Sequence, residues 1–268
     1  MRTLLIPREH GAWGLLLIPL VTGGFAGLSV AQNWLPLALL TIASLALFWM
    51  RAPAEIALGT SPIRSQSASE TNWLLLATTL LASIAMLCIA ALLWDGANRG
   101  LLALGALAAV AFVVQALLKT LGRRARMPAQ LIGAIGLAAV APAAWYVITG
   151  RLDSRALGLW TANWMFAGNQ IHFVQLRIHA ARAAAWREKF RLGRAFFLGQ
   201  LLMIAALLAV VRAQLLPALG LAAFVPLLAR GFLWLKPGAQ PLAVRRLGWS
   251  ELAQGIAFGL LLIGAYHV

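Results

Sequence analysis

A single cysteine, Cys88, occurs among the 268 residues, which rules out an intrachain disulfide and leaves no Cys-based metal site to propose. Carboxylates are almost as scarce, with seven Asp and Glu against 22 Lys and Arg. Charged residues of both signs make up only 11% of the chain, against about a quarter in globular proteins, while 62% is hydrophobic. No soluble core could absorb that surplus. Equally missing are a Walker loop, a Gly-rich dinucleotide fingerprint, an HExxH pair and a nucleophile elbow.

What is present is a run of nine long apolar segments, at 11–30, 33–50, 72–94, 100–118, 130–149, 156–176, 195–211, 214–233 and 249–267. Each is close to the roughly 20 residues needed to cross about 30 Å of hydrocarbon. In lipid the backbone must satisfy its own hydrogen bonds, so these segments are expected to be helices. The connections are short, which predicts an all-α polytopic membrane protein with a single transmembrane domain over 1–268.

The basic residues set the orientation. If the first gap is cytoplasmic, 18 of the 22 Lys and Arg face the cytoplasm and four face the other side, the bias that orients helices on insertion. The N-terminus is then cytoplasmic and the C-terminus lies across the cell membrane. The net charge of +15, which would suggest nucleic acid in a soluble protein, is explained by loops that meet anionic phospholipid head groups. No nucleic-acid partner is expected. Arg2, Arg8, the following apolar run and Ser29-Val30-Ala31 imitate a signal peptide. The run from Gly11 to Val30 is longer than a usual signal core, so an uncleaved first helix is expected.

Further features fit helices in a bilayer. Trp34, Trp73, Trp94, Trp160 and Trp249 stand near predicted span ends, as an interfacial aromatic belt requires. Gly23 with Gly27, and Gly255 with Gly259, have the four-residue spacing that lets helix backbones approach. Pro19, Pro142, Pro217 and Pro226 are expected to kink their spans. The stretch Arg177–Arg194, basic around Trp186 and Phe190, reads as a helix lying in the interface plane.

Polar residues that oppose the hydrophobic trend are the candidates for function, because lipid penalises each one unless it is paired or faces water. One group is Pro7-Arg8-Glu9-His10-Gly11-Ala12-Trp13, at the mouth of the first span. The other closes the sixth span: Asn163, Asn169, Gln170, His172, Gln175, Arg177 and His179. Asn169, His172, Leu176 and His179 follow at helical spacing along one stripe, which either faces a polar cavity or hydrogen-bonds to neighbouring helices. Glu251, just inside the ninth span, has Arg245, Arg246 and Arg8 as expected partners.

The segment Pro7-Arg8-Glu9-His10-Gly11-Ala12-Trp13, followed by Pro19, resembles the opening signature of the YwiC-like family of bacterial integral membrane proteins. That resemblance implies an integral membrane protein and no particular reaction. Nine spans with enlarged connections after the second and sixth are also similar to the layout of UbiA-type prenyltransferases. That likeness implies a UbiA-like helical bundle acting on an isoprenoid or quinone-like lipid. In UbiA-type enzymes, Asp-rich motifs hold Mg²⁺ and a pyrophosphate, whose departing charge must be neutralised. Here Glu55 is the only carboxylate from Trp49 to Arg64, and there is none from Trp164 to Arg182. A carboxylate-held Mg²⁺ site is therefore not expected, and the sequence names no cofactor.

The expected catalytic set is Glu9, His10, Asn169 and His172. Arg51, Arg64, Lys119, Arg123, Gln175, Arg177, Arg182 and Glu251 are expected to bind substrate, the cations by meeting an anionic head directly. The alternative is a transporter, a lipid-binding protein or an accessory subunit of a membrane complex.

Overall fold

Pro142 has no N–H to give the carbonyl four residues back, and the apolar segment it belongs to is divided one turn upstream, at Ala139. In a computed structural model, which describes residues 10–57, 67–94, 96, 98–238 and 242–268, similar local chemistry shapes each element. The α-helices are α1 (His10–Leu28), α2 (Trp34–Ala57), α3 (Ala68–Leu93), α4 (Gly100–Thr120), α5 (Arg126–Ala138), α6 (Val140–Thr149), α7 (Ser154–His179), α8 (Trp186–Arg212), α9 (Val225–Leu233) and α10 (Val244–His267). Short 3₁₀ turns, Arg123–Ala125 and Ala218–Phe224, precede α5 and α9. There is no strand among the described residues.

Among the described residues, six stretches are long and apolar enough to cross a bilayer: Trp34–Pro53, Ser69–Leu93, Gly100–Thr120, Arg126–Thr149, Trp186–Arg212 and Val244–His267. α7 has the length, at 26 residues, but its amides, imidazole rings and arginines keep it out of that group. Large apolar side chains cover the outer faces of α3 and α4, among them Leu80, Leu87 and Leu117, each more than half exposed. A surface of this kind suits hydrocarbon rather than water. The chain is a helical, multi-pass membrane protein.

Three sequence expectations are corrected. The basic stretch from Arg177 to Arg194 is not one interfacial helix: α7 runs through Arg177 to His179, a turn follows, and α8 begins at Trp186. The first turns of α8 are anchored inward by Lys189, which is fully buried and donates to the carbonyls of Trp234 (3.1 Å) and Lys236 (2.6 Å). A cation there complements the negative end of α9. The segment 214–233 is likewise not a single α-helix, because Pro217 leads into the 3₁₀ turn and Pro226 sits in the first turn of α9. Finally, the segment 130–149 is two helices, α5 and α6.

The core forms around α1, which packs against α6, α7 and α10. Gly23 lies so close to the Ala141 carbonyl that any β-carbon would overlap it, and a β-carbon on Gly27 would press on Ile148. Gly255 gives the same clearance to Ile18, and Gly259 faces Thr22. Both glycine pairs therefore mark close helix contacts, the use of small residues that membrane helices depend on. Since residue 18 faces 255 and residue 22 faces 259, α1 and α10 run in the same direction. α7 opposes both: Asn163 Nδ2 donates to Thr22 Oγ1 at 2.9 Å, and Phe166 stacks on Phe258 at 4.1 Å.

At the other end of α1, Trp13 meets Phe48 and Trp49 of α2 edge to face, at 4.9 and 5.6 Å. Trp34, Trp73, Trp94 and Trp249 are exposed at helix ends, and Trp160 donates its indole N–H to the Ile135 carbonyl at 3.1 Å.

Candidate functional site

Mid-helix polar groups on α7, α8, α9 and α10 converge inside the bundle. α7 and α8 are antiparallel neighbours, with His172 against Phe196 and Asn169 against Gln200. The 3₁₀ turn and α9 bring Arg230 to the same level, and α10 brings Glu251. Arg230 Nη1 donates to Glu251 Oε1 in an ion pair whose side chains are only 12% and 13% exposed. The guanidinium also lies over the Phe173 ring at 4.0 Å, which adds a cation–π attraction.

Arginine can only donate, and that fixes the rest of the chain of bonds. Arg230 Nη2 reaches Asn169 at 3.4 Å, so the group facing it must be the amide oxygen. Asn169 Nδ2 then donates to Gln200 Oε1 at 2.6 Å, and Gln200 Nε2 donates to the Leu228 carbonyl at 3.4 Å. Gln170 Nε2 closes the arrangement by donating to the Glu251 carbonyl at 2.9 Å. Arg230 Nε, Glu251 Oε2 and Gln254 Oε1 are buried with no hydrogen-bond partner among the described residues. The network thus holds polar capacity beyond its own bonds, the condition under which a buried site takes up water or a polar ligand.

Beside this network, between α7 and α8 with Leu131 of α5, lies a groove of about 300 Å³ open to the protein surface. Its lining is apolar except at Asn169, His172 and the indole of Trp164. The His172 ring stands edge-on to Phe196 at 5.3 Å and has no hydrogen-bond partner among the described residues. Asn169 is the link: it lines the groove and also belongs to the Arg230–Glu251 network. Asn169 is fifteen residues from the start of α7, about 22 Å along its axis.

The remaining expected residues are distributed as follows. Glu9 and Arg64 lie outside the described residues, as do the side chains of His10 and Arg123. Arg51 stands over the Phe112 ring at 5.9 Å, joining α2 to α4. Gln175 Nε2 donates to Gln130 Oε1 at 3.2 Å. Arg177 is half-buried near the end of α7, and Lys119 and Arg182 are exposed at helix ends. His179 is exposed, with its Nδ1 at 2.9 Å from the Gln175 carbonyl. Asn169, His172 and Glu251 are thus brought together, while Arg51, Lys119, Gln175 and Arg182 are not part of that cluster.

Glu251 pairs with Arg230, not with Arg245 or Arg246. Arg230 is a helical residue inside the segment 214–233. As the one charge within that segment it carried a usable signal. So did Gln200, the only amide in 195–211, and Thr22 in the first span. Of the α7 stripe, Asn169 bonds to neighbouring helices and, with His172, lines a groove that is mainly apolar where a polar cavity was the alternative; off the stripe, Asn163, Gln170 and Gln175 also bond to neighbouring helices.

No curated protein and no solved structure matches the chain. The model of the YwiC-like protein family matches residues 6–145, which takes in α1 to most of α6 and includes the signature around Trp13. The groove and the ion pair lie almost wholly beyond that matched region, on α7 to α10. With just over half of its length so matched, the chain belongs to the YwiC-like family.

Proposed function

We propose that this protein binds an isoprenoid or quinone-like lipid, which enters sideways from the bilayer into the groove between α7 and α8. The observation that carries this reading is the groove's lining: apolar walls at mid-helix depth, with Asn169 and His172 placed where a lipid head would sit. Small-molecule sites have this composition, mostly apolar with a few convergent polar groups that fix orientation. The unpartnered polar atoms just behind Asn169 strengthen it.

In this reading the chain crosses the bilayer nine times, with α5 and α6 forming one crossing and the 3₁₀ turn with α9 another. The N-terminus faces the cytoplasm and the C-terminus the opposite side. Lys119, Arg124, Arg126 and Arg182, exposed at the cytoplasmic ends, meet anionic phospholipid head groups. The start of α1, at His10, stands on the same side of the membrane as the end of α7. In this reading the spans follow a UbiA-type layout.

Lipid-resolved mass spectrometry of the intact protein tests the proposal. The wild type is expected to carry a bound isoprenoid or quinone-like lipid that an Asn169→Ala, His172→Ala variant loses. Equal lipid content in both would count against the groove.

A further inference from the structure

The groove offers donors and no net charge, and this selects among lipid heads. No Lys, Arg, Asp or Glu is among the residues that line it. Asn169 uses one oxygen lone pair for Arg230 and one Nδ2 hydrogen for Gln200, which leaves it a second amide N–H and one further lone pair. Neutral histidine always keeps one ring N–H, and among the described residues that of His172 has no partner. Trp164 adds an indole N–H, which can only donate.

Arg230, the cation bonded to Asn169, is already paired with Glu251 and stacked on Phe173. A phosphate placed here would be an uncompensated anion well inside the span, and burying unpaired charge is strongly penalised even after relaxation. We infer that the lipid taken by the α7–α8 groove carries an uncharged head with a hydrogen-bond-accepting oxygen, such as a quinone carbonyl, in place of a phosphate or pyrophosphate. This rests on the lipid-binding reading above and narrows it to one chemical class.

The full-length protein in phosphatidylcholine nanodiscs is titrated with decylubiquinone, followed by quenching of tryptophan fluorescence, and separately with farnesyl pyrophosphate as the charged competitor. Decylubiquinone is expected to quench saturably, with the larger part of the signal lost in Trp164→Phe. His172→Phe is expected to weaken binding roughly three- to tenfold, as removal of one neutral hydrogen bond implies. Gly199→Leu is expected to block the groove, because a β-carbon at Gly199 already reaches van der Waals distance of the His172 ring, at 3.5 Å. Both variants leave the Arg230–Glu251 pair untouched.

Farnesyl pyrophosphate is expected not to compete. If it displaces the quinone, or binds alone with an affinity that Gly199→Leu abolishes, lipid binding stands and the uncharged head is overturned. Quinone binding unchanged in both His172→Phe and Gly199→Leu also overturns the inference, since the quinone would then sit elsewhere. If neither compound binds and no lipid accompanies the purified protein, the lipid-binding reading falls as well.

Discussion

The Asn169 side-chain oxygen accepts a hydrogen bond from the Arg230 guanidinium at 3.4 Å, across the contact between α7 and α9. One amide therefore faces two environments: an apolar groove on one side and a buried ion pair on the other. That dual position orients the groove's polar wall, because a guanidinium can only donate and so dictates which way the amide points.

The ion pair should show the asymmetry of buried charges. Arg230→Met or Glu251→Leu alone leaves one charge unpaired and is expected to cost about 3–5 kcal/mol. The double variant, which leaves neither charge, should recover most of that loss. Unfolding of the detergent-solubilised protein, compared across the three variants, checks it. A double variant as unstable as the sum of the singles would contradict the account.

Close helix approach at Gly23 gives a second test. Gly23→Leu must push α1 away from the Ala141 carbonyl, and overpacking of this kind typically costs about 1–3 kcal/mol. Gly105→Leu, at a position with nothing within 4 Å, should leave the unfolding midpoint unchanged. Equal effects at the two positions would be incompatible with a tight α1–α6 contact.

Lys189 holds the end of α9 through two backbone carbonyls. Lys189→Met removes both charge-assisted bonds, each worth about 1.5–3 kcal/mol. Faster amide hydrogen exchange is expected around residues 230–236, with little change in α2 or α3. Protection identical to wild type would mean that the ammonium does not hold that end.

Membrane orientation is open to a labelling test in a Cys88→Ser background. A thiol introduced by Arg187→Cys should react with an impermeant reagent only in inside-out vesicles, and one introduced by Arg151→Cys only in right-side-out vesicles. The reverse pattern would invert the orientation inferred from the basic residues.

Much of the helical framework was legible in the sequence, because lipid penalises unsatisfied backbone everywhere and so writes long apolar runs. The glycine pairs were legible as well, since spacing alone puts Gly23 and Gly27 on one face. Less legible were interruptions inside a run: Pro142 and Pro226 announced a disturbance, but whether a helix bends or divides depends on its neighbours. The partner of Glu251 was hidden for a different reason. Arg245 and Arg246 are near it in sequence, whereas Arg230 reaches it only because α9 turns back against α10. Asn169 stood out as a polar residue on an apolar helix, but its tie to Gln200 depends on the register of α7 against α8.

Where a lipid sits is the point on which most depends, and crosslinking reads it directly. The wild-type protein in nanodiscs is illuminated with a diazirine-bearing isoprenoid quinone, digested and mapped by mass spectrometry. Adducts are expected on Trp164–His172 and Phe196–Ala206, and are expected to disappear in Gly199→Leu. Adducts confined to the outer faces of α3 and α4, unchanged by Gly199→Leu, would contradict the account.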